Sequence, residues 1–461
     1  MTYKLRFLIL PLLLVAWASD GLTQPTSAEL NREIAFYRDN LYSLEAANGR
    51  TSLQLVETLE EIADRLMALY EHAEAHATLD RAQQIIRVNE GLYSTSQFRI
   101  LHKKIENLVN TGDWRNGRKL QDHLFWLYVN KNPNPDENTV ADLLKASDMH
   151  LRGVVEDAAM FQFHHYRRAA NHSRVALMVA QSIWPPHDPR IGQAIYEQLK
   201  HSYLQALAVR RGDNAALALR SAGYGRDLVL DRDVVRSIHR GNGYFYLEKL
   251  RRLYLDHETP DLEAAAMATL YRADWQVLFQ QRDLAVRSYT DAYTELLQAG
   301  VAKQLVDELF GEPSLIPETE FYSTVAAALE RQKQKVQSTL SLMNDESIRL
   351  SFDEWSEPTS LISESGNSLS GVITGPGITH FSFSLSGFEE ITWGSWPLRK
   401  RSTLGVAHHL QLIEAATATE MLQESLIEQL SWLRFRPRLV EGMPAAATGV
   451  ISYLAVGITL N

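Results

Sequence analysis

The chain has 461 residues, no cysteine and a formal charge of −10, and 45% of its residues are hydrophobic. The lack of cysteine excludes an N-terminal lipid-modified Cys, a disulfide framework, thiol chemistry and thiolate metal sites. An acidic, evenly mixed charge argues against nucleic acid as a partner, and the length allows roughly two to three domains.

At the start, Lys4 and Arg6 precede an apolar run from Phe7 to Val15, closed by Ala16-Trp17-Ala18 ahead of Ser19. This is the order of a secretory signal peptide. The run is shorter than the roughly 20 residues that cross a bilayer, and Pro11 interrupts it. Cleavage after Ala18 is therefore expected, with a retained anchor as the less favoured alternative. Residues 1–18 are then the signal, and the mature chain is expected beyond the inner membrane, in the periplasm. No later stretch is apolar enough to span a membrane.

From about Ala28 to Leu342 the chain reads as helix after helix. Leu55, Leu59, Ile62, Leu66 and Leu69 make one stripe at helical spacing, and Phe98, Leu101, Ile105 and Leu108 make another. Ser94 with Gln97 has the spacing of a capping box. Sliding the chain by 39 positions superimposes the stripes and carries Ala73 onto Gly112, Ala75 onto Trp114, Ile85 onto Leu124 and Val88 onto Leu127. Each unit is expected to be a helix, a tight turn such as Thr111-Gly112-Asp113-Trp114, and a second helix. A third unit shows in Trp275, Leu278, Asp283, Ala285, Tyr289, Ala292 and Leu296, with Ala285 and Ala292 placed for close helix approach. These features resemble tetratricopeptide repeats, although the offset exceeds that family's ~34 residues and Gly117 stands where Ala is expected. A HEAT-like or otherwise irregular array is the alternative. Prolines punctuate the region at 133 and 135, 185, 186 and 189, 260, and 313 and 317. Ile195, Leu199 and Tyr203 mark a further helix. A last one, from about Glu318 to Leu342, is expected to cap the array with a polar outer face.

The composition changes near Asn344 toward Ser, Gly, Thr and aromatics. His380 to Ser386 alternates, with Phe381, Phe383 and Leu385 on one face, as a half-buried strand does. Ile391 to Leu398 is expected to complete a hairpin. Thr417 and Glu420 open a helix with Leu422, Leu426, Leu430 and Leu433 in its stripe, and Gly449 to Leu460 forms the last strand. Between helix and strand lies Leu433-Arg434-Phe435-Arg436-Pro437-Arg438-Leu439-Val440-Glu441-Gly442-Met443-Pro444. Order and motif resemble the C-terminal domain of TonB and its relatives, with Phe435, Pro437, Gly442 and Pro444 at the family's positions and Leu433 in place of its Trp. The resemblance implies a last strand at the sheet edge that accepts an extended peptide. The anchor and Pro-rich spacer of an energy transducer are replaced here by the helical array.

The fold expected is multidomain, α and α+β: a tetratricopeptide-like α-helical solenoid over 19–343, then an α+β domain over 344–461 with an antiparallel sheet and one helix, of which 378–461 is TonB-like. Alternation in the Leu433 segment puts Leu433, Phe435 and Leu439 inward and Arg434, Arg436 and Arg438 outward. Partner contacts are placed at those three arginines and at Ile451 and Tyr453 of the last strand. A solvated edge kept from aggregating by charge is the plainer reading of the arginines, and of Arg399-Lys400-Arg401. Trp393 and Trp396 read as packing residues.

Metal and catalytic motifs are not found. His72 and His76 are four apart, but the repeat alignment puts a turn between them. His164-His165 with His172, and His408-His409, show no carboxylate at useful spacing. Gly241-Asn242-Gly243 reads as a turn, and the acids of Asp353-Glu354 and Glu389-Glu390 are adjacent rather than facing. Phosphate-loop, nucleophile-elbow and dinucleotide motifs are missing. No cofactor or metal is expected. The leading expectation is a periplasmic scaffold or adaptor, not an enzyme, whose partners are envelope or periplasmic proteins, an outer-membrane protein among them by family analogy. The alternative is a cell-wall enzyme or its subunit, with its site on the solenoid.

Overall fold

The structure, a computed structural model, describes residues 26–211, 232–256, 258–318, 320–337, 348–351, 377–387, 404–414, 427 and 433–455. The expected signal segment, the strand at 391–398, the helix opened by Thr417, the acid pairs at 353 and 389, Trp393, Trp396 and the basic run at 399–401 lie outside them. Two units are distinct, one through Leu120 and one from Gln121 onward. The first holds α1 (Ser27–Asn48), α2 (Leu55–Ala68), α3 (His72–Glu90), α4 (Phe98–Asn110) and the start of α5 (Trp114–Lys131). The second adds α6 (Glu137–Glu156), α7 (Gln162–Ile183), α8 (Arg190–Arg211), α9 (Arg232–Leu255), α10 (Leu262–Leu278), α11 (Arg282–Gln298), α12 (Lys303–Phe310) and α13 (Val325–Gln337). The chain is thus mostly helical with a small strand-bearing part, and no helix among the described residues is long and apolar enough to cross a membrane. The prolines fall between helices, where the missing N–H and fixed φ do no harm.

Three of the helix pairs share one turn. Tyr70, Gly112 and Gln280 each adopt positive φ directly after a helix. The next N–H, of Glu71, Asp113 and Gln281, reaches back five residues to the carbonyls of Leu66, Leu108 and Gln276 at 2.8, 2.9 and 2.7 Å. This is the Schellman closure, which satisfies carbonyls the helix end would otherwise orphan. Asp113 Oδ1 then accepts from the Asn116 N–H at 3.1 Å and caps α5.

The second helices begin at His72, Trp114 and Arg282. Their fourth residues are Ala75, Gly117 and Ala285, their eighth Leu79, Gln121 and Tyr289, their eleventh Ala82, Leu124 and Ala292, and their fifteenth Ile86, Tyr128 and Leu296. All are buried. The small residue at the fourth position lets the first helix lie close, and in the pairs at 55–90 and 262–298 Leu79 and Tyr289 below it join the core shared with that helix.

The turns correct the repeat register. Tyr70 and Gly112 are 42 residues apart, not 39, so Ala73 and Ala75 lie inside α3 rather than at a turn. A helical stripe slid by three residues, nearly one turn, still matches itself. Only the closure fixes the alignment. Gln97 likewise does not complete a capping box. Ser94 Oγ accepts from the Ser96 N–H and opens a 3₁₀ turn, while Gln97 is buried with its amide on the Leu92 carbonyl and on Gln83.

The helix expected from Glu318 begins only at Val325. Before it, β1 (Ser314–Ile316) and an extended, largely buried stretch run through Glu318. The strand β1 pairs antiparallel with β5 (Arg434–Arg436), Leu315 opposite Phe435. Pairing therefore crosses the boundary drawn at residue 343, and Leu404 and Leu439 share one core with Trp275, Tyr289, Phe310 and Val325. β6 (Arg438–Val440) and β7 (Met443–Ala445) form a two-residue hairpin through Glu441 and Gly442, both at positive φ, as the twist of tight hairpins demands.

The larger sheet has the order β2 (Ile348–Ser351), β8 (Ala447–Ala455), β3 (Gly377–Leu385), β4 (Ala407–Glu414). β3 pairs antiparallel with both β4 and β8, while β8 pairs in parallel with β2. The last strand is therefore interior, not an edge. Ile451 is held between Leu350 and Phe381, and Tyr453 pairs with Thr379. The resemblance to the TonB domain did not foresee β2, although Ile348 and Leu350 alternate with Arg349 and Ser351 as the residues of a half-buried strand do.

Helix capping gives a first quantitative expectation. Asp136 Oδ1 accepts the Thr139 N–H at 2.9 Å, and Thr139 Oγ1 answers the Asp136 N–H at 3.2 Å. Asp136→Ala should cost about 1 kcal/mol, read as a lower urea midpoint. Hydrogen bonds from the Thr139 N–H and hydroxyl hold the Asp136 carboxyl below the usual carboxylate range, so the cap is intact above that range and is lost as pH falls below it, through the lowered folded-state value.

Candidate functional site

α10 is buried on nearly every side, as a run of Ala-Ala-Ala-Met-Ala-Thr-Leu predicts for a helix at the centre of a core. One residue breaks the pattern. Asp274 is buried at 3% exposure, and its carboxylate meets Arg436 of β5 in a two-bonded fork, Nε to Oδ1 at 3.0 Å and Nη2 to Oδ2 at 2.6 Å. Tyr289 of α11 donates to Oδ1 at 2.8 Å, and Glu318 Oε1 lies 3.7 Å from Arg436 Nη1. Burial pushes the Asp274 carboxyl up, against the pull of Arg436 and Tyr289. The Arg436 guanidinium is held charged, well above its ordinary value, because Asp274 and Glu318 outweigh its own desolvation. Around the fork, Tyr196 donates to the Glu318 carbonyl at 2.7 Å, and Tyr271 donates to that of Glu320 at 2.8 Å. The segment before α13 is thereby pinned to α8 and α10.

This overturns the outward reading of two arginines. Alternation along β5 holds, but both of its faces are covered. Phe435 stacks on Phe383 of β3 at 4.9 Å, while Arg436 enters the helical core. Arg434 is also buried, its Nη1 on the Leu433 carbonyl at 2.6 Å and its charge disfavoured by burial. Arg438 is exposed as expected. A strand that lies between a sheet and a helical core has no solvent side, so Arg434 and Arg436 present no surface to a partner. Gly405 shows how tight the docking is: it sits at φ +71, and a Cβ there would come within 2.4 Å of the Phe435 carbonyl oxygen.

A second constellation joins α6, α7 and α8. His165 Nε2 lies 2.9 Å from Asp157 Oδ2, and its Nδ1 lies 3.0 Å from His150 Nδ1. The missing carboxylate for His165 is thus Asp157, eight residues earlier and beyond the end of α6. His172 Nδ1 lies 2.8 Å from the Arg168 carbonyl, and His201 Nε2 lies 2.9 Å from Ser147 Oγ. His150, His165, His172 and His201 are all buried. The ring of His165 rests on Gly153, where a Cβ would come within 2.4 Å. His150, His201, Asp157 and Ser147 carry no motif, which is why sequence reading passed over them.

His72 and His76 lie one turn apart on α3, with no bend between. His72 Nδ1 is 2.8 Å from Asn107 Oδ1, and Asn107 Nδ2 donates to the His72 carbonyl at 2.9 Å. His409 sits at φ 52 with Nδ1 3.0 Å from Ser384 Oγ. Among the described residues no three His, Asp or Glu side chains converge as a metal ion requires. Gly241 and Gly243 lie within α9, not in a turn. The chain matches no protein-family model, and no curated protein matches it in sequence.

Proposed function

We propose that this chain is an exported helical-repeat scaffold of the cell envelope, tetratricopeptide-like in its hairpins, that works by binding other proteins. The observation that carries the reading is the recurrence, in three helix pairs, of one closure followed by one series of buried positions in the second helix. Repeated hairpins of this kind stack into extended surfaces suited to recognition. The polar constellations favour the same reading: Arg436, Asp274, His150 and His165 are buried within packed elements. The TonB-like reading is retained for the strand order around Leu433–Pro444, without peptide docking along Gly449–Ser452, since β2 already occupies that side of β8.

Removing everything after Asn344 would not test this scaffold cleanly, because it strips β5 from β1 and strands Asp274. A photoreactive phenylalanine analogue placed singly at the exposed positions Tyr42, Trp126 and Phe245 leaves the core intact. In the living cell, a discrete adduct formed from at least one position and outcompeted by the unlabelled chain supports the scaffold. Unmodified chain from all three positions overturns it. The mature mass, read in the same preparation, should begin at Ser19.

A further inference from the structure

The hydrogen bonds among the buried histidines fix their tautomers. His165 donates through Nε2 to Asp157, so its Nδ1 accepts from the His150 Nδ1–H. His150 Nε2 is left as a buried lone pair with no hydrogen-bond partner. His172 donates through Nδ1 to the Arg168 carbonyl. Ser147 Oγ gives its proton to the Ala169 carbonyl at 3.1 Å, so His201 donates to it through Nε2. Neutral rings make all of these hydrogen bonds, and among the described residues the packing supplies no acceptor for a further proton on His150 Nε2.

The surrounding charges make that proton still less welcome. Asp157 is the carboxylate that His165 engages, and its other oxygen accepts from the Ala158 N–H at 2.7 Å. On α7, Arg168 is bound to Asp122 of α5 at 2.7 Å, and His164 stands 6.0 Å, ring to ring, from His150. The ring of His172 lies 4.9 Å from that of His150. On α8, Lys200 beside His201 is paired with Glu197 at 2.8 Å, and Asp148 of α6 and Glu320 act on the same ammonium. Cations and imidazoles thus crowd the cluster, and its acids are already engaged.

We propose that the histidine cluster between α6, α7 and α8 is a proton-operated release: it stays packed while its rings are neutral, and opens these helices when they take up protons. Burial and neighbouring imidazoles hold His150 well below the ordinary value, and burial with Lys200 lowers His201 to about 3. The folded state therefore favours the neutral rings, while opened rings titrate near 6.5. Packing is fully supported above that value and weakens as pH falls below it, each such ring adding about tenfold per pH unit to the opening constant.

Hydrogen exchange of the intact chain, corrected for intrinsic rates, tests this from about pH 7.5 to about pH 5.5. With His150 and His201 both contributing, opening of α6 to α8 should rise about a hundredfold, while α2 to α4 stay unchanged. A rise below about threefold, an equal rise in α2 to α4, or an undiminished rise in the His150→Asn, His201→Gln double variant overturns the proposal. Should that variant fail to fold, the native chain decides by NMR of its labelled histidines, 15 in all. Two rings still neutral at about pH 5.5 support the release, and rings that all titrate together near 6.5 overturn it.

Discussion

Replacing Arg436 by Ala should lower the stability of the second unit by about 3–5 kcal/mol, the cost of leaving a buried charge without its partner. Among the described residues the guanidinium is the only group that answers both oxygens of Asp274 at once, and Tyr289 alone cannot neutralise a carboxylate at 3% exposure. Asp274→Ala should cost a similar amount by stranding the cation, although Glu318 at 3.7 Å offers it partial relief. The smaller loss should therefore fall on the Asp274 side. Arg436→Lys keeps the charge but loses the fork and should lie between wild type and Arg436→Ala. The double variant Asp274→Leu, Arg436→Met should recover most of the loss, because apolar groups of similar volume need no pairing. Urea unfolding, with hydrogen exchange followed at α10, reads all of these. A loss under about 1 kcal/mol for Arg436→Ala, the value of a surface pair, would mean that β5 is not clasped to the helices through this contact.

How far this clasp was legible in the sequence divides along physical lines. An aspartate in the middle of Ala-Ala-Ala-Met-Ala-Thr-Leu-Tyr-Arg-Ala-Asp-Trp is a visible anomaly, since a helix buried all round rarely carries an acid without an answering cation. The alternation of Leu433 to Arg438 was visible too, and it correctly separates Phe435 from its neighbours. What alternation cannot reveal is whether the second face meets water or another layer, and here that layer is α10, more than a hundred residues earlier in the chain. The histidine cluster was hidden for a related reason. His150, His165 and His201 sit on three helices, and their carboxylate, Asp157, lies just past a helix end, so no spacing rule gathers them. The helix pairs were the most legible part because their signals are local. Even there the stripe alone misplaced the register by three residues, and Tyr70 and Gln280, at positions where glycine is usual, gave no cue to the closure.

Gly241 and Gly243 show the same limit at single-residue scale, and they predict opposite outcomes. Both lie in the middle of α9, where glycine is less favourable than alanine by about 1 kcal/mol. At Gly241 an added Cβ meets nothing within 4 Å. Gly241→Ala should therefore stabilise by up to about 1 kcal/mol. At Gly243 the added Cβ would stand 2.0 Å from the indole of Trp275. That ring is 1% exposed, 4.7 Å from Phe279 and fixed by its Nε1–H to the Arg240 carbonyl at 3.1 Å. It cannot swing clear without losing that hydrogen bond and disturbing Phe279, so overpacking of up to about 3 kcal/mol and about 1 kcal/mol for the bond oppose the helical gain. Gly243→Ala should destabilise by about 2–3 kcal/mol net and should shift the Trp275 fluorescence, while Gly241→Ala leaves it in place. If both variants were stabilised alike, Trp275 would not be seated against α9, and the contact between α9 and α10 would have to be redrawn.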